Sequence, residues 1–178
     1  MTIAVTLLSM KDTATLGFIL AKIYGAELLP PPLLLQGEPG AGKTTLARCL
    51  VENLPGGRPE DGVEVSSPSF TLCNAYACSP PVLHFDLYRL EENSANEDFE
   101  EAVGLAEEGT LLLLVEWPER IIKNSLPQKF ILLELSGRGQ ERQAAFSGWN
   151  APGFLEKLAE LAQGENLPVI FTDIRIEK

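Results

Sequence analysis

The sequence predicts a three-layer α/β domain, and three observations point there. Short apolar runs that read as strands alternate with segments of helical periodicity. A glycine-rich stretch stands between one such strand and one such helix. The length, 178 residues, suits one compact unit at roughly 150 residues per domain.

Taken in order, Ile3, Val5 and Leu7 alternate with Thr2, Ala4 and Thr6, the period of a strand with one buried face, and Ser9 stands where a helix cap belongs. A helix is expected from Lys11 to Tyr24. Leu16, Leu20 and Ile23 share its inner face, Gly25 is a stop signal, and Pro30, Pro31 and Pro32 forbid continuation. Leu33-Leu34-Leu35 reads as a short buried strand, and a helix from Gly42 to Asn53 places Leu46 and Leu50 one turn apart. The stretch from Pro55 to Gly62 is loop chemistry. Strand-like segments follow at Phe70 to Ala77 and Val82 to Leu87. The acidic stretch from Glu91 to Glu108 carries Phe99, Val103 and Leu105 and predicts one or two short helices with their charge in solvent. Thr110 to Glu116 is the most apolar strand and Phe130 to Leu135 another. A closing helix is expected from Gly153 to Ala162, with Leu155, Leu158 and Leu161 on one side, and Val169 to Ile176 is strand-like. The expected division is a main domain over residues 1–148, with a helix and tail over 149–178 that pack on it or extend it.

Composition narrows the function classes. The formal net charge is −11, which weighs against a direct grip on nucleic acid, since phosphate contacts need a surplus of cations on one face. Hydrophobic residues make up 45% of the chain and charged ones 22%, the balance of a folded globular domain. No apolar run approaches the ~18 residues that span a bilayer, so no membrane role is expected. The first ten residues lack a basic leader and a cleavage site, so the expected location is cytoplasmic. Cys49, Cys73 and Cys78 are odd in number and sparse. They fit a reducing compartment better than a disulfide framework, and they lack the second ligand pair of a zinc site.

The segment Gly37-Glu38-Pro39-Gly40-Ala41-Gly42-Lys43-Thr44 fits GxxxxGK[ST] and lies between a strand and a helix, as a phosphate-binding loop requires. Glycines let successive backbone N–H groups converge on a phosphate, and the helix start adds its positive dipole end. In that reading Lys43 reaches the β- and γ-phosphates and Thr44 offers its hydroxyl to Mg²⁺. The guanine-reading Asn-Lys-x-Asp is absent, which favours ATP. Asp86 and Glu116 each follow an apolar run, where a strand leaves the core, and are candidates to hold Mg²⁺ or to orient the attacking water. His84, the only histidine, is expected to be hydrogen-bonded beside the core rather than catalytic. Trp117 is expected to shape a loop over the nucleotide.

With these residues in place, the chain resembles the TsaE family, also called YjeE. Five blocks carry the likeness: Thr13 to Gly17, Gly40 to Leu46, Ser67 to Leu72, His84 to Leu90 and Val115 to Arg120. The resemblance implies a three-layer P-loop NTPase fold with a mixed, mainly parallel central sheet. It also implies an ATPase that docks on a TsaB–TsaD assembly and supports threonylcarbamoyladenosine modification of tRNA, which it touches only indirectly. Carried over by residue, Gly40, Ala41, Gly42, Lys43, Thr44 and Thr45 bind phosphates, Thr44 and Glu116 hold Mg²⁺, and Asp86 is the acidic residue of the second strand. Ser67 to Thr71 is a switch segment, Trp117 belongs to the loop beside the nucleotide, Arg142 matches a late arginine near it, and Lys11 to Thr13 pass near the adenine. Glu38-Pro39 departs from the family's Asp-Leu, and Pro39 removes one N–H from the cradle. Two other readings remain at this point: a small-molecule kinase, with Arg89 and Arg120 as phosphate clamps, or a nucleotide-dependent binding module.

Overall fold

The computed structural model describes residues 2–26, 31–57, 72–137, 141–149 and 152–172. Strand β1 (Thr2–Leu7) buries Ile3, Val5 and Leu7 as its alternation requires. Helix α1 (Met10–Ala26) opens at Ser9, whose Oγ accepts the Asp12 N–H at 3.3 Å. It runs through Gly25 to Ala26, two residues past the expected end. Strand β2 (Leu33–Gly37) leads into the glycine-rich loop and helix α2 (Lys43–Asn53). Gly17 sits where a Cβ would run into Cys49 of α2, so the missing side chain lets α1 and α2 pack closely.

Strands β3 (Cys73–Tyr76) and β4 (Val82–Asp86) form an antiparallel pair. The acidic stretch makes one helix, α3 (Glu97–Glu107), capped by Asn96, whose Oδ1 accepts the Phe99 N–H at 2.8 Å. Phe99, Ala102, Val103 and Ala106 form its inner stripe. Leu105 lies off that stripe and is exposed, because the 100° step per residue carries it round the helix. Strand β5 (Leu112–Glu116) is buried throughout, and β6 (Phe130–Ser136) follows. Strand β7 (Arg142–Trp149), helix α4 (Pro152–Gly164) and strand β8 (Val169–Thr172) complete the described chain.

These strands form one sheet in the order β3-β4-β5-β2-β6-β7-β1-β8. The central four, β4, β5, β2 and β6, are mutually parallel. β1 is antiparallel to β7, which is antiparallel to β6, so β1 runs with the central four. The sheet is therefore mixed, with most strands in one direction, as the sequence led us to expect. One face carries α1, α2 and α4 over a large apolar core, and the other carries α3 over a smaller one. Helix α4 packs on α1, and β8 pairs with β1 along Thr2 to Val5, so the described part of the tail joins the same sheet. Among the described residues no helix is long and apolar enough to cross a membrane.

The register of the parallel strands positions the site. Val82, His84 and Asp86 of β4 stand opposite Leu112, Leu114 and Glu116 of β5. Alternate residues share a face, and Val82, Leu112 and Leu114 belong to the core beneath α1 and α2. His84, Asp86 and Glu116 therefore project to the α2 side, at the carboxyl edge of the sheet.

Candidate functional site

Backbone geometry explains the glycines of the loop. Gly37 ends β2 at φ 143°, where a Cβ would collide with the Leu135 carbonyl of β6. Gly40 and Gly42 hold φ 80° and 104°, in the left-handed region that side chains resist. Gly42 is also the residue from which α2 starts, so the loop delivers the positive end of that helix to the cleft.

Lys43 is buried at the head of α2. Its Nζ donates to the carbonyl oxygens of Gly37 at 2.6 Å and Glu38 at 3.1 Å, and lies 3.6 Å from the centroid of the Trp117 ring. Burial draws its pKa below the ordinary lysine value, opposed chiefly by the Glu116 charge and then by Glu119, Asp86 and Glu38. The next residue, Thr44, donates its hydroxyl to Glu116 Oε2 at 2.8 Å. The other carboxylate oxygen, Oε1, lies 3.0 Å from His84 Nε2. Asp86 stands opposite Glu116, is 5% exposed, and accepts the Tyr88 N–H on Oδ1 at 3.1 Å where the chain leaves β4.

Trp117 follows Glu116 in a left-handed conformation, φ 62° and ψ 50°, directly before Pro118. Such a conformation costs on the order of 1–3 kcal/mol and persists only where surroundings impose it. Here the Trp117 N–H donates to the Leu35 carbonyl at 3.1 Å, its own carbonyl accepts from the Arg120 N–H at 3.1 Å, and its ring packs on Tyr88 at 4.9 Å between centroids. The result is an indole held over the Lys43 ammonium.

Two cavities flank the loop. The smaller, about 410 Å³, is lined by Lys43, Thr44, Thr45, Asp86, Glu116 and Tyr88 among others. The larger, about 820 Å³, runs towards Glu119, Glu134 and Ser136. Pro39, Gly40, Trp117 and Arg142 border both, so the two are lobes of one cleft. Its size suits a drug-sized or nucleotide-sized molecule. Arg142 opens β7 with Nη1 3.6 Å from Met10 Sδ and beside Gly42, next to the loop.

The comparisons with known proteins decide the family. The family model described as "Threonylcarbamoyl adenosine biosynthesis protein TsaE" matches residues 7–144. The chain belongs to the TsaE family. TsaE of Bacillus subtilis is 35% identical over 135 residues, covering 72% of this chain and 77% of that one. TsaE of Nostoc sp. is 33% identical over 145 residues, covering 79% and 82%. Both relatives are named for tRNA threonylcarbamoyladenosine biosynthesis. A crystal structure of Bacillus subtilis YdiB superposes with a TM-score of 0.68 over 93% of this chain and 97% of that one, at 21% identity, which establishes the shared fold.

Within the family-matched residues the structure brings together Gly40, Ala41, Gly42, Lys43, Thr44, Thr45, Asp86, Glu116, Trp117 and Arg142 around the cleft. Thr13 is not brought there. It is 2% exposed inside α1, with its hydroxyl 3.5 Å from the Ser9 carbonyl, and Met10 reaches the cleft instead, because the first residue of the helix projects beyond its packed face. Arg120 lies 3.7 Å from Glu92 in an ion pair rather than in the cleft. Ser67 to Thr71 lies outside the described residues. Sequence reasoning missed Tyr88, Met10, Glu134 and Ser136 as cleft residues. Tyr88 carried a signal, since it falls two residues after Asp86; the others had none.

Proposed function

We propose that this TsaE-family chain is a Mg²⁺-dependent ATPase that works docked on a TsaB–TsaD complex in threonylcarbamoyladenosine modification of tRNA. The observation that carries this reading is the join between the phosphate loop and the strand ends, made by the Thr44 to Glu116 hydrogen bond beside the buried Lys43. The donor set fits magnesium. Thr44, Glu116 and Asp86 offer oxygen only, the ligand type that a hard cation takes, and the strand register puts both carboxylates at one edge.

In this reading Thr44 and Glu116 hold the ion, which when bound neutralises charge developing on the terminal phosphates. Lys43 exchanges the carbonyls of Gly37 and Glu38 for phosphate oxygens, a stronger partner for a buried cation. Loop N–H groups and the head of α2 bind the remaining phosphate charge. Asp86, buried and already oriented by the Tyr88 N–H, directs the attacking water. Trp117 covers Lys43 and excludes bulk solvent from the reacting end.

The same Trp117 cover predicts slow turnover in isolation. A docked partner that moves the Trp117 to Arg120 loop would complete the site, as when binding energy assembles a catalytic constellation. Steady-state ATPase assays with and without purified cognate TsaB–TsaD, beside a screen for phosphate acceptors, test the proposal. Stimulation by the complex without any acceptor supports it. An acceptor that takes the phosphate, with no effect of TsaB–TsaD, replaces it with a small-molecule kinase.

A further inference from the structure

We infer that His84 is a positioning residue for the magnesium site, fixing the Glu116 carboxylate so that Oε2 is presented to Thr44 and to the ion. This rests on the reading of Thr44 and Glu116 as the groups that hold magnesium. A carboxylate's terminal torsion is broad and roughly two-fold, so one hydrogen bond leaves it free to turn. Here both oxygens are tied, Oε1 to His84 Nε2 at 3.0 Å and Oε2 to Thr44 Oγ1 at 2.8 Å. His84 and Glu116 are each 1% exposed, and a buried carboxylate without such partners is strongly disfavoured.

The direction of approach is set by the sheet. His84 stands opposite Leu114, one step deeper along the same face than the Asp86 and Glu116 pair. It therefore meets Glu116 from the core side and leaves the cleft side open to the ion. Its other ring nitrogen, Nδ1, is buried and has no hydrogen-bond partner among the described residues. A proton on Nδ1 would be an unmet donor, so the proton belongs on Nε2, where Glu116 accepts it. Groups that hold a metal's ligand in this way typically matter by roughly 10- to 100-fold in metal affinity.

The chain's single histidine makes this directly testable, since its imidazole signals are unambiguous in a long-range ¹H–¹⁵N spectrum of the intact protein. The expected pattern has the proton on Nε2 with Nδ1 bare, and a proton on Nδ1 overturns the inference. A second arm measures binding of a non-hydrolysable ATP analogue with Mg²⁺ and with EDTA, alongside melting temperatures. His84→Gln keeps an amide N–H at the reach of Nε2, whereas His84→Asn places it at the reach of Nδ1. We expect His84→Asn to lose roughly tenfold or more of the Mg²⁺-dependent gain in affinity, with metal-free affinity near wild type and with rescue by His84→Gln. Retention of the full gain in both variants overturns the positioning role alone. A wild-type protein with no Mg²⁺-dependent gain overturns the magnesium reading of Glu116 and this inference with it.

Discussion

On the face beneath α1 and α2, the ends of β4 and β5 carry His84, Asp86 and Glu116 next to Lys43, whereas the same layer at β7 and β1 is filled by Ala144, Phe146, Ile3, Val5 and Leu7. The difference follows from strand direction. Parallel strands bring all their carboxyl ends to one edge, so β4, β5 and β2 each deliver a polar group or a loop to the same place. In the antiparallel half that edge receives an end of one strand and a beginning of the next. Arg142, the first residue of β7, arrives there opposite Leu7 at the end of β1, and Met10 follows at the start of α1. One half thus presents the chemistry and the other braces it, lending Arg142 and Met10 to the rim of the cleft.

Variants in the two halves should separate stability from binding. The largest effect is expected for Phe146→Ala in β7, a fully buried aromatic, with a loss of about 3–5 kcal/mol in chemical denaturation and unchanged nucleotide affinity in the folded fraction. Asp86→Ala in β4 should do the reverse, lowering partner-stimulated turnover by a factor on the order of 10² while ATP affinity falls much less. Steady-state kinetics beside equilibrium binding would read that split. For Glu116→Ala the expected loss is of the Mg²⁺-dependent part of ATP affinity, at least as large as the roughly tenfold loss expected for His84→Asn, measured by titration with and without the metal. Trp117→Ala is the mildest, retaining nucleotide affinity and losing part of the stimulation by TsaB–TsaD. Should Phe146→Ala weaken nucleotide binding as much as Glu116→Ala does, the two halves are not separable as described.

The parallel half was legible throughout, and in the other half β1 and the start of β8 were legible while β7 was not. The parallel strands are continuous apolar runs, and Asp86 and Glu116 interrupt them where the chain emerges, so strand, edge and carboxylate could be read together. β7 went unread because Arg142–Trp149 alternates weakly. Ala144 and Ala145 give little contrast between its faces, Gly148 adds none, and only pairing with β6 and β1 makes it a strand. The hydrogen bonds of Glu116 lay further out of reach. They join residues 72 and 32 positions apart, and that proximity exists only once β4, β5 and the loop share an edge.

The central claim, that this loop and its buried lysine bind the phosphates of ATP, is tested most directly by calorimetric titration of Mg-ATP into wild-type protein and Lys43→Ala under identical conditions. A charge-assisted contact to phosphate is worth about 1.5–3 kcal/mol, so the account predicts a loss of affinity of roughly 10- to 100-fold. Equal Mg-ATP affinity in the two proteins would contradict it.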